Sequence, residues 1–160
     1  MRSSLPASRV REPRRADRYT PAIPVGLPDE IHALAIHDGR FAPEAFRFLF
    51  EALEQAVRQT GREKAEGTAR HVSGREVLDS LRKLALETFG PLGAEVWRRW
   101  GIRSTLDWGR VVFLLVDAEL LRRQDSDTLE DFRDGYDLDA ELATAYQPEL
   151  PASLDPLREA

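Results

Sequence analysis

The chain has 160 residues, 42% of them hydrophobic, with 23 Lys and Arg against 28 Asp and Glu and no Cys. That length makes one domain and allows an ordinary hydrophobic core without disulfides or a structural metal. The missing Cys excludes a disulfide framework, Cys-ligated zinc, iron–sulfur ligation and thiol catalysis. No window approaches the ~18 apolar residues of a membrane span, and the Arg-dotted start lacks a signal peptide's apolar stretch, so a soluble cytoplasmic protein is expected.

The net charge of -5 is unevenly spread: residues 1–24 carry +4, residues 25–124 are neutral and residues 125–160 carry -9. A basic arm, a neutral body and an acidic end are three different physical objects. Residues 1–28 hold five Pro and scattered Arg with little apolar periodicity, the composition of a disordered arm. From Asp29, two acids precede Ile31, Leu34, Ala35 and Ile36, which predicts a short amphipathic helix stopped at Gly39. Pro43 suits a first helical position, and Phe46, Leu49, Phe50, Leu53, Ala56 and Val57 follow at helical spacing, so a second helix is expected to run to Gly61.

Residues 61–72 have two Gly and no stripe, and read as a loop. Ser73 and Glu76 form a capping-box pair ahead of Val77, Leu78, Leu81, Leu84 and Ala85, which predicts a helix over 74–89. Gly90-Pro91 ends it and starts another over 91–100, with Leu92, Val96, Trp97 and Trp100 inward. A second cap-like pair, Ser104 and Asp107, opens a helix over 105–121 through the apolar run Val111 to Val116. The polar stretch near 121–138 reads as a β-hairpin or as irregular coil. ELATAYQ adds a last helical turn, and residues 147–160 form a Pro-rich acidic tail. The fold class is mainly α: a single five-helix domain over 29–146.

Three helices followed by a hairpin would match a winged helix, with Gly101-Ile102-Arg103 as the turn of a helix-turn-helix and the helix from Thr105 as the reading helix. Charge opposes the nucleic-acid version. The wing would hold Asp125, Asp127, Glu130, Asp131 and Asp134 against Arg133 alone, which repels a phosphate backbone. A nucleic-acid reader would rely on Arg98, Arg99, Arg103 and Arg110, with the arm as a clamp. A protein partner is easier to reconcile with these charges. It would be bound through Arg98, Arg99, Arg103, Arg110 and an exposed Trp108, the composition of an interface hot spot, or through the acidic segment 125–141.

Chemistry finds little to use. His32 and His37 are five apart, off the spacing that places two imidazoles on one helical face, and His71 lies in a loop, so no metal is expected. Ser73, His71 and Asp79 could be grouped as a triad, but no nucleophile elbow or glycine-rich oxyanion loop accompanies them. An enzymatic reading would rest on His71. The glycines form no phosphate-binding pattern, so no cofactor is expected either.

The strings FAPEAFRFLFEALEQAV, ARHVSGREVLDSLRKLALETFGPLG, WGIRSTLDWGRVVFLLVDAELL and DSDTLEDFRDGYDLDAEL resemble a small family of conserved hypothetical proteins, chiefly of planctomycetes, verrucomicrobia and related bacteria. The likeness covers roughly residues 29–142, with RHVSG and WGIRST its most specific pieces. It implies a single bacterial domain of that extent, and no activity, cofactor or catalytic residue comes with it.

Overall fold

In a computed structural model the described residues are 27–62 and 71–148, so residues 1–26 of the expected arm, most of the expected loop over 61–72 and most of the tail over 147–160 lie outside them, while Leu27 and Pro28 open the first helix instead of ending the arm. Five α-helices follow one another: α1 Leu27–Asp38, α2 Pro43–Gln59, α3 Gly74–Phe89, α4 Gly93–Arg99 and α5 Thr105–Asp117. The chain is mainly helical, with no strand among the described residues.

α2 is the central element. Its start has an extended Ala42 and Pro43 but no side-chain cap, and eight of its residues are buried, from Ala45 to Val57. That continuous apolar face packs on α1 and, more extensively, on α3. α3 begins with the expected capping box: Glu76 N–H donates to the Ser73 hydroxyl at 3.3 Å, and Ser73 N–H donates to the Glu76 carboxylate at 2.7 Å.

Three helices end by the same device. The N–H groups of Gly61 and Arg62 reach back to the carbonyls of Arg58 and Val57, those of Gly101 and Ile102 to Arg98 and Trp97, and those of Glu119 and Leu120 to Val116 and Leu115. Each is a Schellman closure around a left-handed residue, here Gly61, Gly101 and Glu119. The third explains why α5 stops at Asp117 instead of running to 121. Glu119 takes φ 59° without being glycine, and Leu120 and Leu121 then fold back against the core. α4 is also shorter than its pattern suggests, because Gly90-Pro91-Leu92 makes a 3₁₀ turn before the α-helix starts at Gly93.

No hairpin forms near 121–138. Asp127 accepts the backbone N–H of Gln124 at 2.7 Å and Asp131 accepts that of Thr128 at 2.7 Å, closing two tight turns where strands would need free N–H groups. A 3₁₀ turn over Leu129–Phe132 follows, then a single wide turn over Ala140–Thr144, which is the last helical turn expected in ELATAYQ. Phe132 is buried against α5 at Gly109, where a Cβ would come within 2.8 Å of its side chain. The glycine is what lets the ring sit on the helix backbone.

Candidate protein-interaction surface

The site predicted from sequence lies around α4 and the turn into α5. Its foundation is an aromatic cluster. Phe48 of α2 stands 5.6 Å from Phe89, 6.2 Å from Trp97, 5.4 Å from Trp100 and 6.1 Å from Trp108. Trp97 and Trp108 meet edge to face at 4.9 Å. Neither indole N–H has a hydrogen-bond partner among the described residues, so shape and the edge-to-face geometry hold this pair.

Trp108 is therefore not the exposed anchor that its position beside Asp107 and Arg110 suggests: it is fully buried, like Trp97. The first turn of α5 points Trp108, Val111 and Leu115 inward at i, i+3, i+7, and the core claims the ring. Trp100 behaves differently. It is half-buried, 5.6 Å from Phe89 in an edge-to-face contact, and forms the rim of the cluster.

Of the four arginines predicted to bind, three are engaged. Arg98 pairs with Asp139 and reaches Glu95 at 3.7 Å, and the Asp139 hydrogen bond raises its pKa further. Arg99 meets Glu95 at 3.3 Å, but with its side chain 78% exposed this ion pair is easily exchanged for another partner. Arg110 pairs with Asp107 at 2.5 Å, while the other oxygen of Asp107 accepts the backbone N–H groups of Arg103 and Ser104 at 2.9 and 3.2 Å. Among the described residues, the Arg103 guanidinium alone of the four has no partner.

A residue that the pattern placed in the core completes the surface. Leu92 is 64% exposed, because the 3₁₀ turn shifts its phase relative to α4, whose buried face is Gly93, Ala94 and Trp97. Leu92, Val96 and Arg99 fall at i, i+4, i+7 on the opposite side, next to half-buried Trp100. The signal for this was the Gly-Pro step itself, since a proline at a 3₁₀ start breaks the register of the stripe that follows.

The acidic segment 125–141 is less available than its composition suggests. Besides Asp127 and Asp131, Asp137 accepts the N–H of Ala140 at 2.8 Å, and Glu130, Asp139 and Glu141 pair with Arg133, Arg98 and Arg82. His71 does not join Ser73 and Asp79. Its Nε2 lies 3.1 Å from Asp127, the Ser73 hydroxyl serves the α3 cap, and Asp79 pairs with Arg82 and Lys83 at 2.9 and 2.8 Å.

An open cleft of about 180 Å³ is lined by Arg75, Leu78, Asp79, Arg82, Gly135 and Tyr136. That is below the roughly 300–1,000 Å³ of small-molecule sites. The Tyr136 hydroxyl donates to the Leu78 carbonyl at 2.9 Å, and burial pushes its pKa well above the ordinary phenol value, so it stays a fixed neutral donor. Among the described residues no three His, Asp or Glu converge as metal ligands, and no helix is long and apolar enough to cross a membrane. No protein-family model, curated protein or solved structure matches the chain.

Proposed function

We propose that this domain is a non-enzymatic, cytoplasmic interaction module that binds a protein partner through the outer face of α4 and the turns at its two ends. The observation that carries this reading is Leu92, a large apolar side chain left 64% exposed at the start of α4, with the half-buried Trp100 at the end of the same helix. Exposed Arg99 follows at i+7 on the same helix, and Arg103, whose guanidinium has no partner among the described residues, lies in the turn beyond it. Apolar and aromatic anchors rimmed by arginine are the composition of interface hot spots. Trp100 is already packed on Phe48 and Phe89, so ordering this ring adds little to the cost of docking a partner.

The nucleic-acid reading draws less support. Asp107 neutralises Arg110 at the start of the reading helix, Trp108 is in the core, and the segment meant for a wing turns back on α5 as a 3₁₀ turn rather than as strands. A salt-dependent gel shift at low ionic strength would revive it.

The test is capture of partners by the immobilised full chain, compared with Leu92→Asp and Arg103→Glu. A partner retained by the wild type and lost by both variants, while each keeps its far-UV circular dichroism, supports the reading. Equal capture by all three, or no capture together with turnover of a metabolite by the purified protein, overturns it.

A further inference from the structure

α5 is apolar over six consecutive positions, Val111 to Val116, yet only Val111 and Leu115 among them are fully buried. A helix that is apolar all round is ordinarily covered all round. Here the inward arc holds Trp108, Val111 and Leu115, and Phe132 covers the side at Gly109. The opposite arc is formed by Leu106, Arg110, Phe113, Leu114 and Asp117, at i, i+4, i+7, i+8 and i+11, and each of these retains exposure. The Arg123 guanidinium stands over the Phe113 ring at 5.4 Å, and Phe113 and Leu114 pack against the core along one side while remaining partly exposed on the other.

The order of charges along this arc is what identifies an occupant. Reading along the helix, Arg110 and Asp117 lie symmetrically about the centre of the Phe113-Leu114 pair. An antiparallel second α5 laid across that centre sets Arg110 against Asp117 of the copy, and Asp117 against its Arg110, with Phe113 and Leu114 of both chains between. Such a pattern is self-complementary, which is the requirement for a two-fold interface. Asp117 is exposed and has no ion-pair partner among the described residues. Arg110 uses one nitrogen on Asp107 and, with its side chain 42% exposed, has further N–H donors to offer.

We infer that the outer face of α5 is a self-association surface that takes a second copy of this chain in antiparallel register. The contact is one helix wide, so it falls short of the roughly 800 Å² per partner of stable complexes, and dissociation in the range of tens to hundreds of micromolar is expected.

The experiment is sedimentation of the full chain over a concentration series up to about 500 µM, with far-UV circular dichroism of every variant. Dimerisation by the wild type is expected. Asp117→Arg places like charges at both symmetry-related contacts and should weaken the dimer about ten-fold or more, and Leu114→Glu should do the same from the apolar centre. The reversal Arg110→Glu with Asp117→Arg should restore most of the wild-type affinity. A wild type that stays monomeric throughout, a dimer indifferent to Asp117→Arg, or a folded double variant that fails to recover would each overturn the inference.

Discussion

Between 43 and 117 the helices meet mainly through apolar side chains: Phe46, Phe48, Leu49, Leu81, Trp97, Trp108 and Leu115 are all buried against only Ser80, Thr105 and Asp107 among polar residues, and two indole N–H groups there find no partner among the described residues. Between 118 and 146 the buried apolar side chains are Phe132, Leu138 and Leu142, and the path of the backbone is set by carboxylates that accept its own N–H groups. One region is specified by what it removes from water, the other by where its acids bond. The lesson is that a run of Asp can be a row of turn-formers rather than a solvated charged face.

Removing a ring from the first region should have the largest effect. Trp97→Ala deletes the partner of both Phe48 and Trp108 and is expected to cost about 3–5 kcal/mol in urea unfolding. Retention of stability within 1 kcal/mol, an order-of-magnitude threshold, would mean that the aromatic cluster is not the anchor. Gly101→Ala comes next, at about 2–4 kcal/mol, because Gly101 has φ 91° and a Cβ there would lie 2.2 Å from the Arg40 carbonyl oxygen.

In the second region, Asp131→Ala should cost only about 1 kcal/mol, the usual value of a lost cap, and hydrogen exchange should rise at Thr128 before it rises in α5. If Asp131→Ala cost as much as Trp97→Ala, the contrast between the two regions would fail.

The pH response sharpens the same comparison. Glu76 has its pKa held below the ordinary carboxylate value, first by the hydrogen bond from the Ser73 backbone N–H and further by the Ser73 hydroxyl and Arg62. A depressed folded pKa means stability that is present above the unfolded value of about 4.5 and is lost as pH falls through the folded one. Glu76→Gln should therefore flatten the acid limb of a urea-midpoint profile by less than one proton and leave its neutral plateau slightly lower. The smallest effect belongs to Arg133→Ala. Both Arg133 and its partner Glu130 are exposed side chains, and the urea midpoint should not move measurably.

How much of this could be read in the residues follows from the same division. The helix starts at Pro43, Ser73 and Ser104 were legible, since a proline at a first helical position and Ser-x-x-acid pairs each have a local mechanism. So were the stops at Gly39, Gly61 and Gly101. The stop at Glu119 was not, because a glutamate in the left-handed region is imposed by Leu120 and Leu121 turning back onto the core, a tertiary effect. The hairpin expectation failed for a related reason. Period and polarity describe strands well, but they do not show which carboxylate will take which N–H. In the site, the arginines were found by composition. The exposure of Leu92 was missed because the 3₁₀ turn shifts its phase relative to α4, and the burial of Trp108 because its polar neighbours Asp107 and Arg110 outweighed its i, i+3, i+7 spacing with Val111 and Leu115.

The close approach of Gly101 to Arg40 bears on the order in which the chain assembles. Ala42 N–H donates to the Trp100 carbonyl at 3.0 Å, so the corner between α1 and α2 is tied to the corner between α4 and α5. Those corners are separated by about sixty residues, and closing a loop of that length carries an entropic cost before the contact is rewarded. This tie can form only once Trp100 is in place, whereas the packing of α2 on α1 and α3 does not require it. A nascent chain ending before Trp100 would leave Phe48 of α2 without two of its four ring partners, Trp100 and Trp108.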